Sequence, residues 1–294
     1  MSNPPHRRGF VLLMALALIA VASISLAGLA RHSLRLAREA TQAQEDLQRR
    51  WGILSCQRRL LEVADDLLEL QAQAGAEPRR GGPAPSVVMG EFTLGGLQFT
   101  VRLADESAKA NLNAIRERRP EGAARVAQAA LAGASVSGVG GQVILWTSET
   151  PADEDRLVGW GQVFELTGPR AAQAGHQWIE QATRDITIWG GGRLNLRRAS
   201  DTAVAFACES ALPEPTVRKL LELRRAGQWT SLEELLRRLG LPGRELGRWR
   251  RLLTDSSDCH SLWVTTTSRS RRSTSLTVDR PGPGLSVDRL VLHW

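Results

Sequence analysis

The sequence predicts an α+β protein: a long N-terminal helix, then antiparallel strands and a large helical section. Three observations carry that prediction. From Phe10 to about Gln73 the chain has no proline and only Gly28 and Gly52 as weak helix formers. Apolar residues alternate on either side of Gly95-Gly96. The C-terminus is rich in β-branched residues, while the stretch before it carries helical spacing and caps. With 294 residues, 42% of them hydrophobic, the chain can bury a core. Its net charge of +7 comes almost wholly from arginine, since only Lys109 and Lys219 are lysines. Such a balance suits nucleic acid, anionic lipid or acidic protein partners and says nothing of fold.

The first element is a helix over residues 10–75. Phe10 to Ala30 is apolar apart from Ser23, Ser25 and Gly28. About 20 such residues cross a bilayer, whereas the apolar part of an export signal is roughly 7 to 15 residues long. A single-pass span over 10–30 is therefore expected, with secretion after "LAGLA" (Leu26 to Ala30) as the alternative. Arg7 and Arg8 precede the span and Arg31, Arg35 and Arg38 follow it, so basic flanks do not orient it. The short N-terminal side leaves the bulk outside. Farther along, Leu36, Ala40, Ala43, Leu47, Trp51, Leu54, Leu61 and Leu68 form an apolar stripe, which predicts either a coiled-coil stalk or packing on a head.

The leader "RRGFVLLMALALIAV" resembles the class III signal of type IV pilins and type II secretion pseudopilins: basic residues, a glycine, a phenylalanine and an apolar helix at once. The resemblance implies a leader over residues 1–9, cleaved after Gly9 by a prepilin peptidase that then methylates the amine of Phe10. It also implies glutamate five residues into the mature chain, where this sequence has Met14. A carboxylate in a bilayer is costly unless paired, and in the family its partner is the terminal amine of the subunit ahead. Its absence is a trait of the secretion protein K family, whose members cap the pseudopilus.

The Gly/Pro-rich "AQAGAEPRRGGPAPS" (Ala72 to Ser86) ends the helix. A hairpin follows: Glu91 to Leu94, a Gly95-Gly96 turn, and Leu97, Phe99, Val101 and Leu103 on one face. "DESAKANLNAI" (Asp105 to Ile115) is similar to a secretion protein K segment through Lys109, Asn111, Leu112 and Asn113, polar residues read as structural. Between Arg116 and Gly192, "RPEGAARVAQAALAGA" predicts an amphipathic helix and "GQVILWT" a short strand. Asp153, Glu154 and Asp155 are calcium candidates, since hard cations take clustered oxygens. No spaced ligand loop supports them, and a solvated acidic turn is the plainer reading.

The resemblance strengthens from Ile186 to Gly240. Leu194, Asn195 and Leu196 match a second motif, and "RRAGQWTSLEELL" matches a helix-hairpin-helix pair. Leu220, Leu221 and Leu223 share an apolar side, Gly227 ends their helix, and Ser231 with Glu234 predicts a capping box. Helix-hairpin-helix turns often hold phosphates, and Arg218 to Arg251 carries ten basic residues against four acidic. The first turn, "CESALPEPTV", has two prolines without amide hydrogens and two glutamates, so nucleic acid is not expected. Strands return in "SLWVTTTS", "SLTVD" and "LSVDRLVLHW", with Pro281 and Pro283 in a turn. The resemblance implies that these strands (258–294) complete the sheet begun over 88–114, which makes 115–257 an inserted helical domain on a pilin-like frame.

Cys56, Cys208 and Cys259 have no metal-ligand spacing. In an exported chain Cys208 and Cys259 are the candidate disulfide. His6, His32, His176, His260 and His293 form no metal pair, no nucleophile elbow occurs, and neither an enzyme nor a cofactor other than calcium is expected. The family implies a minor pseudopilin at the tip of the type II secretion pseudopilus. Its partners would be other minor pseudopilins in a hetero-oligomeric tip complex, the prepilin peptidase and the inner membrane, with the bulk in the periplasm. A membrane-anchored helix-hairpin-helix DNA-uptake protein and a minor pilin of a type IV pilus remain the alternatives.

Overall fold

The computed structural model describes residues 6–74, 83–134, 142–145, 156–166, 177–209, 211–227, 229–268, 272–281 and 287–293. Helix α1 (His6–Glu62) runs for 57 residues, and α2 (Ala64–Ala74) continues it after a turn at Val63. The rod is thus two segments where the sequence predicts one, but Leu67 N–H still donates to Val63 C=O at 3.0 Å, so the break is a bend. Its physical reason is burial: the bend lays Ala64 and Leu68, both nearly inaccessible, onto the head.

The main sheet has five antiparallel strands. Strand β1 (Val87–Leu94) and β2 (Leu97–Asp105) form the expected hairpin. Gly95 and Gly96 both take positive φ, 58° and 83°, as a two-residue turn matched to strand twist requires. Short ladders then pair β3 (Ala110–Asn111) with β4 (Ile186–Thr187) and β5 (Leu194–Asn195) with β6 (Leu253–Thr254), both parallel. The large sheet resumes with β7 (His260–Thr267), β8 (Arg272–Pro281) and β9 (Val287–His293), in the order β1-β2-β7-β8-β9. Residues far apart in sequence are neighbours here: Val101 faces Val264 and Leu103 faces Leu262. Pro281 closes β8 opposite Val287 instead of lying in the turn, while Pro283 lies outside the described residues.

Between β2 and β7 the chain is mostly helical: α3 (Leu112–Arg118), α4 (Pro120–Gly133), α5 (Gln177–Ala182), α6 (Asp201–Cys208), α7 (Glu214–Arg225), α8 (Leu232–Arg238) and α9 (Gly243–Leu252). The strand predicted in "GQVILWT" is, among the described residues, a single bridge between Val143 and Phe164. Two backbone hydrogen bonds make that bridge, Ile144 N–H to Val163 C=O and Glu165 N–H to Gln142 C=O, each at 2.9 Å, and Phe164 is fully buried beside Trp160 and Trp178.

Strand alternation divides the sheet between two cores. Leu262, Val264, Phe99, Val101 and Leu103 face the rod and cluster with Ile53, Cys56, Leu61 and Ala64. Leu276 and Val278, with Trp263 partly buried beside them, face the other way into the core of the helical section. Leu220 is fully buried there, with Leu221 and Leu223 half-buried against it.

Candidate functional site: the exposed rod and its mooring

No residue from 10 to 44 is buried, and the apolar segment within Phe10–Glu62 reaches a mean hydropathy of 2.7. This helix is long and apolar enough to cross a membrane. Residues 10–30 span about 30 Å as helix, the thickness of a bilayer's hydrocarbon. Gly9 lies within α1, Phe10 is 65% exposed and Met14 is 56% exposed.

The rod meets the head through the distal end of the expected stripe, at Leu61 and Leu68, and otherwise along a neighbouring face. Leu36, Leu47, Trp51 and Leu54 are all exposed, and the contact is made by Gly52, Ile53, Cys56, Gln57, Leu61, Ala64 and Leu68. The sheet docks where the helix is slim: a β-carbon on Gly52 would fall 2.4 Å from Phe99 Cζ. Large side chains are thereby turned outward. A polar bond locks the register, with buried Gln57 Nε2 donating to Thr277 Oγ1 at 2.7 Å.

A clasp of charges joins the end of the rod to the helical section. Arg198, 6% exposed in its side chain, lies 3.0 Å from Asp65 and 3.7 Å from Glu69, and 3.7 Å from fully buried Asp105. Arg197 pairs with Glu69 at 2.8 Å, and His260 Nε2 lies 3.4 Å from Asp65. Asp65, Glu69, Arg197 and Arg198 border a cleft of about 320 Å³. Burial pushes the Asp105 carboxyl above its ordinary range, while Ser257, His260, Arg198 and Asn195 pull it part of the way back. This clasp was not anticipated, although Asp65 and Glu69 at i, i+4 and the Arg197-Arg198 pair just after "LNL" (Leu194 to Leu196) are visible in the sequence.

The motif residues are internal fasteners. Buried Glu106 accepts from Lys109 Nζ and Thr187 Oγ1, each at 2.6 Å, and from Ser261 Oγ. Asn111 caps α3 through Ala114 N–H and donates to Trp189 C=O at 2.6 Å. Asn113 donates to Leu157 and Ile188 carbonyls and accepts from Leu157 N–H at 2.8 Å. Asn195 donates to Asp105 and Ser257. Each of these side chains joins segments that the sequence separates by dozens of residues.

Gly227 ends α7 at φ 67° as expected. Ser231 Oγ caps α8, but Glu234 reaches back to Thr230 N–H and Oγ1, one residue earlier than a capping box requires. Cys208 and Cys259 are not bridged; each is a buried thiol, and burial pushes the Cys208 thiol up to about 12. Asp153, Glu154 and Asp155 lie outside the described residues. Among the described residues no group of three or more His, Cys, Asp or Glu is arranged to hold a metal ion.

Fold and site together define a class: an α+β head moored to the distal end of one long helix whose proximal end is exposed and apolar. No family model and no curated protein matches the sequence. Among solved structures, the chain is similar to one in the crystal structure of the GspK-GspI-GspJ complex from the enterotoxigenic Escherichia coli type 2 secretion system. The two are 16% identical, the match covers 86% of this chain and 98% of that one, and the TM-score is 0.48.

Proposed function

We propose that this chain is a minor pseudopilin, acting at the tip of a type II secretion pseudopilus in protein export across the outer membrane. The observation that carries the reading is the division of the rod. Residues 10–30 are almost wholly apolar and, like the rod as far as residue 44, exposed, while the distal part is fixed to the head by Gly52, Gln57 and the Arg198 clasp. A membrane-stored helix that packs among sister helices needs that arrangement, because shape and burial drive helix association once lipid is left behind. The leader ending at Gly9 and the replacement of the usual carboxylate by Met14 support the same role. A subunit with no neighbour ahead has no terminal amine to pair.

On this reading the prepilin peptidase cleaves between Gly9 and Phe10, the mature helix waits in the inner membrane, and the head lies in the periplasm. The helical section between β2 and β7 then stands where a further subunit would stack, and other minor pseudopilins form the hetero-oligomeric complex below. The test is mass spectrometry of the N-terminus after co-expression with a prepilin peptidase. A chain beginning at methylated Phe10 is expected, and Gly9→Ala should leave the leader attached. Unchanged processing of Gly9→Ala, or a wild-type chain that keeps its leader, refutes the proposal.

A further inference from the structure

A second cleft, of about 400 Å³, lies on the helical section away from the rod, bordered by Arg118, Arg248, Arg251, Glu117 and the Gly191-Gly192 turn. Its rim is tightly built. Gly192 takes φ 84°, and a β-carbon there would fall 2.8 Å from Ala114 Cβ, so the turn presses directly on α3. Arg118 closes α3 and is held in place by carbonyls: Nε donates to Ala114 at 2.9 Å and Nη2 to Ala207 at 3.3 Å. Two of its five N–H groups are used in this way and three remain for a ligand. Burial, and then the charge of Arg248, pull the Arg118 guanidinium below its ordinary value against the opposing pull of Glu117 and Cys208.

Three arginines therefore gather around one concavity that offers a single carboxylate. Among the described residues, none of Arg118, Arg248 and Arg251 has a salt bridge of its own, whereas their neighbour Arg250 is paired with Glu233 at 2.9 Å. Gathering like charges around one concavity costs free energy that an anion would recover. Guanidinium groups suit carboxylates and phosphates alike through paired parallel hydrogen bonds.

The surroundings favour carboxylates on a protein over a nucleic acid. A duplex presents a continuous track of charge, and here Glu117 on the border of the cleft interrupts any such track. Trp249, the aromatic between Arg248 and Arg250, is 1% exposed and offers no platform for a base. We propose that this cleft binds an acidic polypeptide segment, the aspartate- or glutamate-rich loop or tail of a partner protein, through paired contacts from Arg118, Arg248 and Arg251. The site stands on its own geometry and does not depend on whether the chain enters a fibre.

The test titrates the full-length chain in non-ionic detergent into a fluorescently labelled hexaglutamate peptide at low salt and reads anisotropy. Saturable binding is expected for the wild type. Arg248→Glu with Arg251→Glu, both at exposed positions, should weaken it by at least about tenfold without moving the melting temperature. Arg248→Lys with Arg251→Lys, which keeps the charge and loses the forked geometry, should fall between the two. Arg218→Glu, on the exposed face of α7, should leave binding unchanged. The proposal is overturned by absence of saturable peptide binding, by an equal loss in Arg218→Glu, or by a duplex oligonucleotide that displaces the peptide and binds more tightly.

Discussion

Gly52 is the position where a single methyl group tests how the rod meets the head. A glycine in the middle of a helix costs about 1 kcal/mol relative to alanine, so Gly52→Ala on a free helix would stabilise the chain by that amount. In this structure the new β-carbon would sit 2.4 Å from Phe99 Cζ and 2.5 Å from Cε1, where ordinary contact begins at 3.4 Å. The ring has little freedom to withdraw: Phe99 is 0% exposed and stacked on Phe92 with centroids 4.9 Å apart. Overpacking of a filled core costs about 1–3 kcal/mol, and overlap with two ring atoms belongs at the upper end. Subtracting the gain in helix propensity leaves a net loss of about 2 kcal/mol, or about 4–8 °C in melting temperature for a chain of this size. Thermal unfolding of the full-length protein in detergent, followed by tryptophan fluorescence, measures it. Phe99→Leu in the same background should recover part of the loss, since removing the ring removes the clash. A rise in melting temperature for Gly52→Ala would refute the docking of α1 on β2.

Other substitutions probe the remaining joints. Leu68→Ala empties a site that is 0% exposed under the end of the rod, and should cost about 2–5 kcal/mol by the same unfolding assay. Asn113→Ala leaves two carbonyls and one N–H of buried loops unsatisfied, for an expected loss of about 3 kcal/mol or more and faster proteolysis near Leu157. Asp201 carries the pH dependence that is simplest to isolate. Burial raises its carboxyl, but Arg225 and Arg224 outweigh burial and hold it below the ordinary 3.8. Its contribution is therefore fully present above pH 3.8 and disappears as the pH falls through the lowered folded value; Asp201→Asn should flatten that part of the acid-unfolding curve.

Much of the local structure was legible because it depends on neighbours in sequence. The hairpin at Gly95-Gly96 follows from period-two alternation and two residues tolerant of positive φ, and the structure has both. The ends of α7 and α8 follow from Gly227 and Ser231. The stripe on the rod held at Leu61 and Leu68 but failed from Leu36 to Leu54, because spacing identifies an apolar face without saying what will cover it. Leu47, Trp51 and Leu54 fit a stripe as well as any residues, yet the sheet chose the slimmer face at Gly52 and Cys56.

The Arg198 clasp shows the same division more sharply. Arg198 and Asp65 are separated by 133 positions, and nothing near either of them marks the other as its partner. The amino-acid order by itself determined the helices, the turns and the apolar span, since hydrogen bonds and rotamers within a few residues set those. Only the tertiary structure decided which face of the rod is covered, that β2 lies beside β7, and that three arginines share one cleft, because each depends on shape and charge meeting across chain that sequence proximity does not connect.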